Sequence, residues 1–320
     1  MDGIPTIDLA GNIAEVTAAL AAACEEVGFF QIVHHGVDDR VIERAWTTAR
    51  AFFDLPLADR MSVARRDERD AYGYVPVAVE ALNRSLGETT GGADLKETLN
   101  IGPVDPLPRP PIDEGEAWAF ATNEWPDALP ELRPAWEAYF REMVALSSRL
   151  MSLFAVALHL PADYFEQMIG ESASAMRAIN YPHQESPPPP GTLRAGAHTD
   201  YGTLTVLRQD DAPGGLQVFD HTTSAWVDVP YVPDAFVVNL GDLLERWTND
   251  RWRSTLHRVV NPPHDGRPDT RRQSMAFFHN ANYHTVVECL PTCLAPGEAP
   301  RHAAVVAGPH LMEKAHRTIA

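Results

Sequence analysis

Five residues in the C-terminal half have the types and spacing for metal-centred chemistry. His198 and Asp200 stand two apart in Gly196-Ala197-His198-Thr199-Asp200. His257 follows in Leu256-His257-Arg258-Val259-Val260, and Arg272 and Ser274 frame Arg272-Gln273-Ser274. Two imidazoles and one carboxylate are the ligand set of a facially bound non-haem Fe(II), which keeps open positions for other ligands. A guanidinium with a hydroxyl close by is a receptor for a carboxylate, gripped through two parallel N–H···O bonds. The five together predict a redox-active metal beside an anchored organic acid, and so oxygen chemistry.

Such groups need rigid positioning. Alternate residues of a strand share a face, so His198 and Asp200 can reach one ion while Thr199 points away. His257 is far along the chain and must arrive on a different strand, as a closed barrel permits. The chain after Met176 supplies that setting: short β-rich runs alternate with Pro213-Gly214-Gly215, Val232-Pro233-Asp234, Gly241-Asp242 and Pro262-Pro263-His264-Asp265-Gly266. Regular short strands with such turns predict a sandwich or barrel.

The first half has a different texture. Ile4–Leu9 reads as a short strand, Asn12 to Val27 as a helix stopped by Gly28, and Gly28 to Val33 as a second strand ended by His34-His35-Gly36. A helix is expected from about Asp38 to Phe53, and a longer one from Leu129 to Leu160 before Pro161. Arg65 to Gly102 is polar and glycine-punctuated, including Gly91-Gly92-Ala93, and reads as a long irregular segment of the kind used for lids or surface connections. The expected division is 1–110, a mixed α/β N-terminal region; 111–172, a helical support; 173–285, the β core; and 286–320, a C-terminal segment.

Bulk properties narrow the function further. A net charge of −18 over 320 residues argues on electrostatic grounds against a nucleic-acid partner or an anionic membrane surface. Cys24, Cys289 and Cys293 are too few for a disulfide framework and read as structural thiols of a reducing compartment. The N-terminus shows no basic and apolar leader pattern, and the apolar stretch Leu150 to Leu160 falls well short of the roughly 20 residues that span a bilayer. A cytoplasmic protein acting on a small-molecule substrate, with no obligate protein partner, is the expectation.

Several motifs carry a family resemblance. Ile4-Pro5-Thr6-Ile7-Asp8-Leu9, Gly28-Phe29-Phe30-Gln31-Ile32-Val33-His34-His35-Gly36-Val37 and Asp94-Leu95-Lys96-Glu97-Thr98-Leu99-Asn100-Ile101-Gly102 are joined by His198-Thr199-Asp200-Tyr201-Gly202-Thr203-Leu204-Thr205. Gly214-Gly215-Leu216-Gln217-Val218, Asn239-Leu240-Gly241-Asp242 and Ser254-Thr255-Leu256-His257-Arg258-Val259 complete the set. Over nearly its whole length the chain resembles the isopenicillin N synthase-like group of Fe(II)- and 2-oxoglutarate-dependent oxygenases, as a bacterial-type member.

The resemblance implies a mainly β fold with α: a double-stranded β-helix (jelly-roll, cupin-like) core flanked by helices. It implies Fe(II) held by His198, Asp200 and His257, 2-oxoglutarate chelating the iron with its distal carboxylate on Arg272 and Ser274, and O₂ as the oxidant. Tyr181 matches a tyrosine that commonly touches the co-substrate. Ile179 stands where plant members usually have Asn, which leaves Arg177 and Asn180 as candidates for the near-carboxylate contacts. The implied reaction hydroxylates, or desaturates or cyclises, an unactivated C–H bond of a metabolite while 2-oxoglutarate becomes succinate and CO₂.

Two other readings share these residues. In an iron oxidase of the same fold that needs no 2-oxoglutarate, Arg272 and Ser274 would hold a substrate carboxylate instead. A metal-bearing, non-catalytic binder would leave the open iron positions without a purpose. By analogy with where family members hold substrate, Tyr72, Glu80, Arg177, Tyr201, Phe278 and residues of the Arg65 to Gly102 segment are candidate pocket residues; Glu80 suits a cationic substrate and Arg177 an anionic one.

Overall fold

The computed structural model describes residues 3–67, 69–87, 92–263, 265 and 269–319. Gly91, and His264 and Gly266 of the expected turn, lie outside the described residues. The strands in chain order are β1 (Thr6–Asp8), β2 (Phe29–Val33), β3 (Gly73–Val75), β4 (Glu97–Ile101), β5 (Ala175–Tyr181), β6 (Ala195–His198), β7 (Leu204–Gln209), β8 (Leu216–Asp220), β9 (Ala225–Asp228), β10 (Phe236–Leu240), β11 (His257–Val259), β12 (Arg272–His279), β13 (Val286–Val287) and β14 (Val305–Val306). The helices are α1 (Ile13–Glu26), α2 (Asp39–Asp54), α3 (Leu57–Met61), α4 (Glu114–Ala119), α5 (Leu132–Ala157), α6 (Glu166–Ile169), α7 (Asp242–Trp247) and α8 (Ala307–Ile319).

Two sheets make the core. The larger runs β1-β2-β10-β7-β12-β5-β4-β3 and the smaller β6-β11-β8-β9. The central strands of the larger sheet face the smaller one as a jelly roll. N-terminal strands extend the larger sheet at both edges: β2 pairs with β10, and β4 pairs with β5.

Period-two alternation explains how one sheet serves two environments. On β10, β12 and β5, Val238, Met275, Phe277, Met176 and Ala178 join an apolar core with helices α1, α2 and α5 on the outer face. Their neighbours Val237 and Tyr181 join Phe29, Ala195, Leu216, Val218 and Val259 in a second core between the sheets. Both faces are covered, so β10 reads as an almost continuous apolar run, while β5 and β12 mix apolar residues with Arg177, Asn180, Arg272, Gln273 and Ser274.

The helices start where the sequence indicates. The side chain of Asn12 accepts from the Ala14 N–H at the start of α1, and that of Asp38 from the Arg40 N–H at the start of α2, each satisfying an otherwise orphaned first-turn donor. Gly28 ends the α1 turn with φ +70°, and a Cβ there would stand 2.0 Å from the Arg253 carbonyl oxygen. Only glycine fits that approach.

One expectation needs correction. Arg65 to Gly102 is not uniformly irregular, because it contributes β3, a 3-10 turn at Leu82–Leu86 and β4. β4 is buried throughout although it reads Glu-Thr-Leu-Asn-Ile. Its Glu97 carboxylate is satisfied by the Tyr74 hydroxyl, Arg60 and the Asn180 amide. Buried polar residues with partners make a strand look like a loop in the sequence. Among the described residues no helix is long and apolar enough to cross a membrane.

Candidate active site

Between the sheets lies a cavity of about 200 Å³ with His198, Asp200 and His257 on one wall. His198 ends β6 and His257 opens β11, where the two residues pair directly across the ladder. Asp200 lies just past the end of β6 rather than within it. The ladder therefore sets the two imidazoles side by side, with ring centroids 4.2 Å apart. One carboxylate oxygen of Asp200 sits 3.9 Å from the Nε2 of each histidine, and the three ligand atoms lie within 4.8 Å of one another.

The surroundings fix which atoms face the centre. His198 Nδ1 lies 2.8 Å from the Gly196 carbonyl oxygen and His257 Nδ1 3.1 Å from that of Thr255. Each Nδ1–H donates to a carbonyl, so Nε2 is the free lone pair, the usual arrangement behind metal-bound histidine. Asp200 Oδ2 accepts from the Thr205 hydroxyl at 2.5 Å and the Asn239 amide at 2.7 Å. That occupies one oxygen and turns Oδ1 toward the histidines.

Charge states agree with this geometry. Burial, with His257 next to it, pushes the His198 imidazole down to about 3. Burial opposes ionisation of Asp200, but His257, His198, Asn239 and Thr205 together hold it below the usual carboxylate range. At neutral pH His198 is neutral and Asp200 ionised, the states a divalent ion requires of its ligands. A two-histidine, one-carboxylate set with outer hydrogen bonds already in place fits Fe(II) with open positions.

Arg272 and Ser274 lie on the inner face of β12 and line the same cavity. Arg272 is 1% exposed; its Nη2 donates to Gln209 Oε1 at 3.1 Å, and its Nη1 is buried with no hydrogen-bond partner among the described residues. An unmet guanidinium donor in a cavity is a costly feature unless an acceptor arrives from outside. Tyr181 on β5 lies beneath it, with the Arg272 guanidinium carbon 5.1 Å from the ring centre.

The other candidates divide. Tyr72, Glu80, Arg177, Tyr201 and Phe278 all line the cavity. Asn180 does not: it lies on the opposite face of β5, where its amide donates to Glu97 and its oxygen accepts from Arg271. The alternation that brings Arg177 and Tyr181 inward sends Asn180 out, so it is removed from the near-carboxylate contacts. Arg177 Nε donates to Asn100 Oδ1 at 2.5 Å, and its Nη1 to Glu80 Oε2 at 3.2 Å. Three cations crowd Glu80, and although burial opposes its ionisation, Arg177, Lys96 and Arg65 hold its carboxyl below the ordinary range.

Sequence reasoning expected pocket residues from the Arg65 to Gly102 segment without singling out Arg65, Lys96 or Asn100, which line the cavity. It missed Trp118, and also Leu311 and Ala315 of α8, which line it too. The four-residue spacing of the last two on one helix face was the available signal. Asn239 sat in a motif already singled out, without a role.

Known proteins share this arrangement. Residues 172–281 match the 2OG-Fe(II) oxygenase superfamily, and residues 4–128 match the N-terminal region described as that of a non-haem dioxygenase in morphine synthesis. The chain belongs to the 2OG-Fe(II) oxygenase superfamily. It is 33% identical to the 2-oxoglutarate-Fe(II) type oxidoreductase hxnY of Emericella nidulans, over 90% of this chain and 80% of that one. It is 32% identical to the validamycin A dioxygenase of Streptomyces hygroscopicus subsp. limoneus, over 87% of this chain and 77% of that one. A full-length Neurospora crassa protein, solved in complex with alpha-KG and thymine, superposes with a TM-score of 0.83 at 28% identity, over 98% of this chain and 97% of that one. The protein is thus a 2-oxoglutarate-dependent non-haem iron dioxygenase, with His198, Asp200 and His257 as its iron-binding triad.

Proposed function

We propose that the enzyme hydroxylates an unactivated C–H bond of a small metabolite, and that Arg272 and Ser274, with Tyr181, hold the distal carboxylate of 2-oxoglutarate. The observation that carries the second part is the buried, partnerless Nη1 of Arg272 on the cavity wall. Iron, 2-oxoglutarate and O₂ supply the oxidising power, with 2-oxoglutarate leaving as succinate and CO₂. The chain's own residues bind, orient and exclude water. Neutral His198 and ionised Asp200 present ligands, and the jelly-roll strands fix the angle between the metal and the anchored acid. Core residues 173–285 carry this chemistry. Regions 1–110 and 286–320 shape the substrate end together with Trp118, and the rest of 111–172 buttresses the large sheet.

Within the superfamily we place the chain in the isopenicillin N synthase-like group as a bacterial-type member, on its motifs; similar relatives come from fungi and plants as well as Streptomyces. The compounds named with such proteins, validamycin A and thymine among them, differ too much to transfer one. We take the enzyme to be cytoplasmic, acting on a diffusible substrate without nucleic acid, membrane or an obligate protein partner.

Calorimetric titration of 2-oxoglutarate into Mn(II)-loaded protein tests the Arg272 assignment. Arg272→Met should weaken binding by about 10- to 100-fold, as expected for a lost charge-assisted pair. Unchanged affinity would return Arg272 and Ser274 to the alternative role of holding a substrate carboxylate.

A further inference from the structure

The substrate end of the cavity holds a second guanidinium with a buried, unmet donor. Arg65 has a side chain only 10% exposed and lines the cavity. Its nearest carboxylate oxygen, Glu80 Oε1, is 3.6 Å from Nη2, beyond hydrogen-bond range, and its Nε is buried without a partner among the described residues. By contrast, Arg177 donates to both Asn100 and Glu80, and Lys96 is matched by Asp94 at 2.6 Å. Asp70 also lines this wall, but its Oδ2 accepts from the backbone N–H groups of Arg66 and Asp67. Two guanidinium groups therefore share the single carboxylate of Glu80.

A buried guanidinium whose Nε is unmet and whose Nη2 has only a 3.6 Å ion pair can take an oxygen anion on its open edge. Around it the wall is apolar and aromatic: Tyr72, Trp118, Phe278 and Leu311 line the same space. We propose that the primary substrate is a small organic acid with an apolar or aromatic body, its carboxylate docked on Arg65 beside Arg177 and its body held against Tyr72, Trp118 and Phe278. This specifies the substrate class of the oxygenase reading above and rests on it. It also replaces the cationic substrate that Glu80 alone would suggest, because Glu80 is already overcompensated by its own neighbours.

Acid and amide pairs test the proposal without knowledge of the natural substrate. Benzoate, 3-phenylpropionate and 2-naphthoate, each beside its primary amide, and 3-phenylpropylamine are titrated calorimetrically into protein loaded with Mn(II) and saturating 2-oxoglutarate. At least one acid should bind about tenfold or more tighter than its amide, the scale of one charge-assisted hydrogen bond. Arg65→Gln should erase that difference by weakening the acid alone, and Arg65→Lys, a point charge without the fork, should restore part of it. The proposal is overturned if no acid outbinds its amide in the wild-type protein, if Arg65→Gln weakens acid and amide equally, or if the amine is preferred. The 2-oxoglutarate titration that precedes these separates the two ideas: no binding there sinks the cofactor reading, whereas binding without acid preference sinks only this one.

Discussion

The two ends of the cavity are built differently. At the iron end every working side chain hangs on or beside a jelly-roll strand: His198 and His257 face each other across β6 and β11, and Arg272 and Ser274 share a face of β12. At the substrate end the wall comes from the 65–102 region, Trp118 of α4 and Leu311 and Ala315 of α8. Core strands contribute Ala175 and Arg177 of β5 and Phe278 of β12 there. Chemistry that is the same in every turnover sits on rigid ladders; the surface that chooses a substrate is assembled from appended pieces. A scaffold organised this way can change its substrate without disturbing its metal.

Removing a ligand should break the iron end completely. His198→Ala leaves one imidazole and one carboxylate, so Fe(II) affinity should fall by more than the roughly 100-fold that marks loss of an outer partner, and turnover with it. Equilibrium dialysis of the metal against the folded variant checks this, and wild-type-like retention would remove His198 from the triad. A smaller effect is expected one step out. Asn239→Ala frees Asp200 Oδ2 from the amide that now holds it at 2.7 Å. Metal affinity should drop about 10- to 100-fold while the fold survives. An unaltered metal affinity would show that Thr205 alone orients the carboxylate.

The same contrast explains what could be read from the sequence. His198 and Asp200 were legible from their types and spacing, although Asp200 lies just past the end of β6 and not on the strand the spacing suggested. Arg272 and Ser274 were legible as a pair because residues two apart on a strand, here β12, share a face. Asn180 was put forward because Ile179 stands where plant members usually have Asn, whereas strand alternation puts it on the Glu97 side. The substrate end was mostly hidden. β4 carries Glu97, Thr98 and Asn100 in a fully buried strand, a pattern that only its partners make sense of. Arg65 and Leu311 lie nearly 250 positions apart in the chain, and no local period connects them.

The attachment of the appended pieces offers the mildest test. Glu116 on α4 is buried and receives two hydrogen bonds from Arg109 at 2.8 Å, while Arg109 also bridges to Glu171 at 2.7 Å. α4 packs against α8, so this clamp steadies the outer wall of the substrate end and touches nothing at the iron. The Arg109 guanidinium, aided by the Ile112 N–H and against the opposing effect of burial, lowers the Glu116 carboxyl to about 2. A carboxylate held low in the folded state contributes stability that is fully present above its unfolded value of about 4.3, and that is lost as pH falls toward the folded value. Arg109 is about one-third exposed, so solvent screening should limit the contribution to about 1–2 kcal/mol. Chemical denaturation of wild type and Glu116→Gln at pH 7 and pH 3 should show a gap at the higher pH that narrows at the lower one, with metal affinity the same in both proteins. A gap independent of pH would mean that Glu116 acts through packing, and a change in metal affinity would mean that the two ends of the cavity are coupled after all.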